Sequence, residues 1–72
     1  MIKSAMLEIT LNGAPRRLDG PLTLAQLLAA EGLAGKRVAV ERNGEIVPKS
    51  QHPQVLVASG DRLEIVVAVG GG

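Results

Sequence analysis

The sequence has no cysteine, phenylalanine, tyrosine or tryptophan. Without cysteine there is no disulfide, no thiolate metal ligand and no sulfur nucleophile on the chain itself. Without aromatic rings it lacks the stacking platforms that single-strand nucleic-acid binders use. Its one histidine, His52, cannot by itself make a histidine metal site or a proton relay. Neither sign of charge is in excess: 8 Lys plus Arg against 7 Asp plus Glu leave a net charge of +1. A dedicated binder of nucleic acid or of anionic membranes usually carries a basic surplus. The longest apolar run, Ile65 to Val69, is far shorter than the roughly 20 residues that span a bilayer.

What remains is one small aliphatic domain. The 72 residues are 46% hydrophobic. Ordering a chain of this size costs on the order of 100 kcal/mol, which a small core only just offsets. Leu, Ile and Val must carry that core. A deep private cleft is hard to build on so little interior, so composition favours a carrier or binding module over a self-contained enzyme. No repeat, low-complexity segment or linker interrupts the chain. Met1 to Ala5 lacks the apolar stretch of a signal peptide, which sets the expectation of a cytoplasmic protein. Met6 could serve as the start, with residues 1–5 an N-terminal extension or expression remnant.

Leu7, Ile9 and Leu11 alternate with Glu8, Thr10 and Asn12, the period of a half-buried strand. Asn12-Gly13 then signals a tight hairpin. The return segment, Ala14 to Leu18, contains Pro15, which lacks a ladder donor and belongs on an edge. Asp19-Gly20 is a turn. Thr23 to Glu31 reads as a helix. Thr23 and Gln26 have capping-box spacing, Leu22 and Leu27 stand at staple positions, and Leu24, Leu27 and Leu28 form the apolar stripe. Gly32 ends the helix. Arg37 to Arg42 predicts a third strand with Val38 and Val40 on one face. Asn43-Gly44 is a second hairpin signal, leading to Glu45–Val47, and Pro48 stops that strand. Lys49 to Ala58 is irregular, with a short helical turn near His52. Gly60-Asp61 is a turn. Arg62 to Val69 is the last strand, with Leu63, Ile65, Val67 and Val69 on one face. Its apolar character on both faces suits a central strand. The fold class is therefore α+β: a ubiquitin-like β-grasp, with a mixed sheet of four to five strands and one helix on one face. The first and last strands would be central and parallel, and the domain would span residues 6–69.

The chain runs out in Gly70-Gly71-Gly72. Three glycines after a strand have large conformational entropy and no side chain to pack. A tail of this kind can thread a narrow channel and present an unhindered carboxylate. A frayed end is the other reading that composition leaves open.

The whole pattern resembles the ThiS family of thiamine-pathway sulfur carriers. The matching pieces are Ile9-Thr10-Leu11-Asn12-Gly13, Leu24-Ala25-Gln26-Leu27-Leu28 and Lys36-Arg37-Val38-Ala39-Val40-Glu41. They continue with Asn43-Gly44-Glu45-Ile46-Val47-Pro48, Gly60-Asp61-Arg62-Leu63-Glu64-Ile65 and the final Gly71-Gly72. The resemblance covers Met6 to Gly72. Two positions depart from the pattern: Gly70 is an extra glycine, and Arg42 stands where an apolar residue is common. The resemblance implies a carrier that is itself no enzyme and binds no cofactor. A ubiquitin-activating-type adenylyltransferase would use ATP and magnesium to adenylate the Gly72 carboxylate. Sulfur from a sulfurtransferase or cysteine desulfurase would replace AMP, and thiazole synthase would consume the resulting thiocarboxylate. Gly70 and Gly71 would provide reach. Val66, Ala68 and Arg62 would form a docking surface beside the tail, as the sheet face does in ubiquitin-like carriers. Burial of Val66 and Ala68 within a central strand is the competing reading.

Other candidates are weaker. Gly35-Lys36 lacks the remaining residues of a phosphate loop, with Ala30 and Arg37 at the positions that should be Gly and Ser or Thr. His52 reads as a surface loop residue, and Glu41 and Glu45 as solvated strand ends. Two functional alternatives stay open at this level. One is the small sulfur-carrying subunit of molybdopterin synthase. The other is an RNA-binding module like the TGS domain, which the near-zero charge and lack of aromatics oppose. Ubiquitin-like conjugation of Gly72 to a lysine would be an additional role.

Overall fold

A computed structural model describes residues 6–68. The expectations for residues 1–5 and for the glycine tail lie outside these residues, as does Val69.

Five strands, one α-helix and one 3-10 turn follow in the order β1 (Met6–Leu11), β2 (Ala14–Asp19), α1 (Leu24–Ala30), β3 (Val38–Arg42), β4 (Glu45–Val47), the turn Lys49–Gln51 and β5 (Arg62–Val67). The sheet order is β2-β1-β5-β3-β4. β1 runs parallel to β5, and the other pairings are antiparallel. This is the expected β-grasp arrangement, with the first and last strands adjacent inside the sheet.

Local chemistry explains each boundary. Both hairpins turn through two residues of positive φ, 51° and 83° at Asn12-Gly13 and 53° and 90° at Asn43-Gly44. Such turns match the twist of the strands they join, and Asn and Gly tolerate the left-handed region best. Thr10 donates its N–H to Asp61 O at 3.0 Å, toward β5. Its cross-strand partner Pro15 therefore occupies a non-hydrogen-bonded site, and the missing proline N–H faces outward on the edge. In α1, Thr23 Oγ1 accepts from the Gln26 N–H at 3.1 Å while Gln26 Oε1 accepts from the Thr23 N–H at 2.8 Å. The helix closes when the Gly32 N–H donates to Ala29 O at 3.0 Å and the Leu33 N–H to Leu28 O at 2.8 Å. That bonding pair is a Schellman motif built on the positive φ of Gly32.

One face of the sheet packs on α1. Ile9 and Leu11 from β1, Val40 from β3 and Leu63 and Ile65 from β5 meet Leu24, Leu27 and Leu28, with Val57 of the long loop closing the group. Leu24, Leu27, Val40 and Leu63 are fully buried. Each such aliphatic side chain stabilises the fold by about 1.5–3 kcal/mol. Arg16, from the helix side of edge strand β2, makes a two-pronged ion pair with Glu31 at the helix C-cap. The Glu31 carboxylate, by hydrogen bonding and then by charge, raises the Arg16 pKa.

Three expectations need correction. The apolar character of β5 does not mean burial on both faces, because Arg62, Glu64 and Val66 are exposed and α1 covers only the other side. The last strand ends at Val67 instead of running through Ala68; Val67 shares the face of Leu63 and Ile65 as expected but lies past the core cluster and is 41% exposed. His52 is not a surface residue. It is 5% exposed, with Nε2 3.1 Å from the Val47 carbonyl. A carbonyl only accepts, so Nε2 carries the proton. The cause of the burial is the helix end. The His52 carbonyl accepts the Ala25 N–H at 3.0 Å and the Val55 carbonyl accepts the Leu24 N–H at 2.9 Å. The loop thus satisfies amides that the first helical turn leaves free.

Candidate functional site

The sequence points to the end of β5, because that strand leads to Gly70–Gly72. Its setting is built from the residues that grip it. β3 pairs with it from Val38↔Val67 to Arg42↔Leu63, and β1 pairs on the other side through Thr10↔Arg62 and Leu11↔Leu63. The hairpin asparagines add a second grip. Asn12 Oδ1 accepts the Ile65 N–H at 2.7 Å, and its Nδ2 donates to Ile65 O at 3.3 Å. Asn43 Oδ1 accepts the Arg62 N–H at 2.8 Å. Each asparagine thus serves twice, adopting positive φ in its turn and extending the backbone ladder of β5 with its amide.

Asp61 anchors the start of the strand. Its Oδ2 accepts the Ala58 N–H at 2.8 Å and Arg42 Nε at 2.9 Å, and Oδ1 accepts Asn43 Nδ2 at 3.1 Å. The residue is 5% exposed. Burial alone would push its pKa up. The bonds from Ala58, Arg42 and Asn43, with the Arg42 charge, outweigh that and hold the carboxyl below its ordinary value. The sequence reading took Asp61 only as a turn residue. A signal was present in Arg42, which has the parity of Val38 and Val40 and so points a charge to the covered face. A charge there needs a counter-ion.

At its far end β5 stops at Val67, and the Ala68 N–H donates to Arg37 O at 2.9 Å. The strand is thus held on both sides as far as Ile65 and by β3 alone at Val66 and Val67. The glycines predicted to carry the chemistry, Gly70, Gly71 and Gly72, lie outside the described residues. The three predicted docking residues lie within them. Arg62 and Val66 are exposed on the face away from α1, Val66 at 64%, and Ala68 is exposed just beyond the strand. Burial of Val66 and Ala68 in a central strand is therefore excluded. Ile46 of β4 is exposed to 63% on the same outer face.

Among the described residues no group of three His, Asp or Glu side chains could hold a metal ion. No helix there is long and apolar enough to cross a membrane. Gly35-Lys36 lies between α1 and β3, whereas a phosphate loop joins a strand to a following helix. A cleft of about 330 Å³ near His52, rimmed by Lys36 and Lys49, is otherwise mostly apolar and contains no nucleophile–base pair. What the described residues offer is presentation: the end of an inner strand beside an open sheet face.

Comparison with known proteins agrees with this reading. The family model of the ThiS family matches residues 9–72. A thiazole synthase of Paramagnetospirillum magneticum is 47% identical over 66 residues, which are 92% of this chain and 20% of that protein. A thiazole synthase of Magnetococcus marinus is matched over the same share of its length, so the chain spans about a fifth of these relatives. The sulfur carrier protein ThiS of Bacillus subtilis is 46% identical over 50 residues, 69% of this chain and 76% of that protein. A crystal structure of the thiamine biosynthesis protein (ThiS) from Geobacter metallireducens shares the fold with a TM-score of 0.78 at 35% identity, covering 92% of this chain and 100% of that one. With a family match running from β1 through residue 72 and a shared β-grasp fold, the chain belongs to the ThiS family.

Proposed function

We propose that this protein is a sulfur carrier of thiamine biosynthesis, acting through the Gly72 carboxylate as a co-substrate of partner enzymes. Membership of the ThiS family over residues 9–72 is the observation that carries the proposal. A carboxylate is a poor electrophile. An adenylyltransferase using ATP and magnesium would join a Gly72 oxygen to the α-phosphate and release pyrophosphate. A sulfur nucleophile would then attack the acyl carbon and expel AMP. With sulfide the product is directly the thiocarboxylate. With a persulfide the product is an acyl disulfide, which a thiol splits to thiocarboxylate and disulfide. Gly70 and Gly71 supply reach without side chains that would clash with a narrow channel.

Thiazole synthase is the proposed acceptor of the sulfur. Support comes from two relatives named thiazole synthase, in each of which a fifth of the protein matches 92% of this chain. That relation favours the thiazole pathway over the molybdopterin one. The RNA-binding alternative fits poorly with the outer sheet face, where Glu41 and Glu64 stand directly opposite each other. Phosphate backbones are bound by basic surfaces.

Intact-protein mass spectrometry tests the reading. After incubation with a thiamine-type adenylyltransferase, ATP and sulfide, the mass should rise by the difference between one sulfur and one oxygen. The gain should map to Gly72 and vanish when Gly72 is deleted. Adding thiazole synthase, or in parallel the large subunit of molybdopterin synthase, then identifies the acceptor. An active enzyme that produces neither adenylate nor mass gain refutes the proposal.

A further inference from the structure

The cleft beside His52 lies on the helix side of the sheet and has features that carrier chemistry leaves unused. Its volume is about 330 Å³, and its walls include Leu28 of α1, Leu33 of the following loop and Val38 of β3. Lys36 and Lys49 stand at its rim, and no aspartate or glutamate borders it. Three ion pairs occur among the described residues, Arg16–Glu31, Arg17–Glu8 and Arg42–Asp61, and neither lysine takes part in them. Two positive charges thus share one apolar cleft without a counter-ion among the described residues.

His52 adds an independent signal. It borders the same cleft and is 5% exposed. Its Nε2 donates to the Val47 carbonyl at 3.1 Å, so in the neutral ring Nδ1 is an acceptor, and it has no hydrogen-bond partner among the described residues. No side-chain nitrogen there is both fully buried and unpaired, so Nδ1 keeps an opening, and the cleft is the open space that His52 borders. A ligand that satisfies these groups brings an anion for the lysines, a neutral donor for Nδ1 and no cation of its own. A peptide C-terminus has this chemistry, a carboxylate next to a backbone N–H. The end of β5 lies close by. Val67 pairs with Val38 of the cleft wall, one strand spacing or about 4.8 Å away, on the same face of the sheet. The Ala68 N–H donates to Arg37 O at 2.9 Å, one residue from Lys36. Residues 69–72 follow, and at no more than about 3.3–3.6 Å per residue they span up to roughly 14 Å.

We propose that this cleft binds the C-terminus of its own chain, with the Gly72 carboxylate between Lys36 and Lys49 and a backbone N–H of the glycine segment on His52 Nδ1. The inference rests on the Gly72 carboxylate of the proposed function and adds a resting place for it. Glycine suits the site, since a backbone without Cβ atoms can lie close against Leu33 and Val38. Both lysines are exposed, so their ion pairs with the carboxylate contribute little and are screened by salt. Tethering compensates. Short linkers give effective concentrations in the millimolar range, so a site with millimolar affinity for a separate peptide is about half filled by the attached one. Half filling leaves half of the chains ready for the adenylating enzyme, a factor of about two in apparent affinity.

Proton–nitrogen NMR of the isolated chain is the test, once intact mass has verified that it ends at Gly72. Deleting Gly70, Gly71 and Gly72 should shift the amide signals of Lys36, Lys49 and His52 as well as those beside the end of β5. Adding N-acetyl-triglycine to the shortened chain should return these signals toward their parent positions, with half-saturation in the millimolar range. The C-terminal amide of the same peptide, which has no charge, should bind about fivefold more weakly. The acid should lose a similar factor in the shortened Lys36→Gln, Lys49→Gln variant, whose substitutions are at exposed positions and leave the core intact. Shifts confined to the neighbours of Ala68, or equal binding of acid and amide, overturn the proposal. Shifts that grow with protein concentration overturn it as well, because they assign the cleft to the tail of a second copy. Gly72 adenylation in a chain that fails these tests leaves the carrier reading standing and removes this inference alone. A chain that passes them but is never adenylated by an active enzyme loses the carrier reading and keeps the cleft as its seat.

Discussion

Replacing Asp61 should unlock the start of β5 and cost a large share of the stability of the domain. The carboxylate accepts three hydrogen bonds, at 2.8, 2.9 and 3.1 Å, and is 5% exposed. Bonds to a charged acceptor contribute roughly 1.5–3 kcal/mol each before desolvation is counted. They are not additive, and removing the carboxylate also removes its desolvation cost. The Arg42 side chain is 33% exposed, so it can rehydrate once its partner is gone. The Ala58 N–H and the Asn43 amide lose their partner as well. Asp61→Ala should therefore cost about 3 kcal/mol, and Asp61→Asn about 2 because one carbonyl acceptor survives. A domain of this size has in total about 4–10 kcal/mol. Urea denaturation is the assay. It must be followed by far-ultraviolet circular dichroism, because the chain has no tryptophan or tyrosine to report by fluorescence. The pH dependence gives a second handle. The native pKa of Asp61 is lowered, so between the native and unfolded values the unfolded chain binds more protons. The stabilisation is complete above the unfolded value of about 4 and fades as pH falls through the lower native one. The gap between parent and Asp61→Asn should be constant near neutrality and shrink in that acid window. A double-mutant cycle with Arg42→Gln should show a coupling of about 1 kcal/mol. An Asn variant within about 0.5 kcal/mol of the parent at neutral pH, the usual scatter of surface substitutions, would refute the anchoring role.

Two further outcomes test the packing and the strand grip. Leu27→Ala empties a fully buried position in the middle of α1 and should cost about 3 kcal/mol in the same urea titration. A loss under about 1 kcal/mol would mean that α1 is not seated on the sheet as described. Asn12 separates its two duties when replaced in two ways. Asn12→Gly keeps the φ of 51° and loses the bonds to Ile65, for about 1–2 kcal/mol, while Asn12→Ala adds roughly 1 kcal/mol of left-handed strain. Equal losses from the two variants would show that the turn conformation contributes nothing.

Much of the architecture was legible because it is written in short-range chemistry. Asn12-Gly13 and Asn43-Gly44 can turn in few ways, Thr23 and Gln26 satisfy each other's neighbourhood within one helical turn, and Pro15 can sit only where no ladder donor is needed. The alternation in β1 and β5 then decided which face met the helix. What escaped the sequence was contact between segments far apart in the chain. His52 looked like a loop residue because nothing near it in sequence demands burial. The demand comes from the unpaired amides of Leu24 and Ala25, which its loop must cover. Asp61 looked like turn punctuation because its partners include Arg42 and Asn43, 19 and 18 residues away. The apolar run from Ile65 suggested burial on two faces, but α1 covers only the face of Leu63 and Ile65 and Val66 is left open. These long-range contacts are also what bear on function. Asn12, Asn43 and Asp61 fix the chain from Asp61 to Ile65, which on the proposed carrier reading is the base of the tail. A tail that must reach an active site gains from a rigid base, because ordering the whole domain on binding would cost roughly 1–2 kcal/mol for each residue fixed. The same logic explains an uncovered outer face in so small a domain. A second layer would bury Val66 and Ile46 and add stability, but on the proposed reading it would also cover the face beside the strand that leads to Gly72.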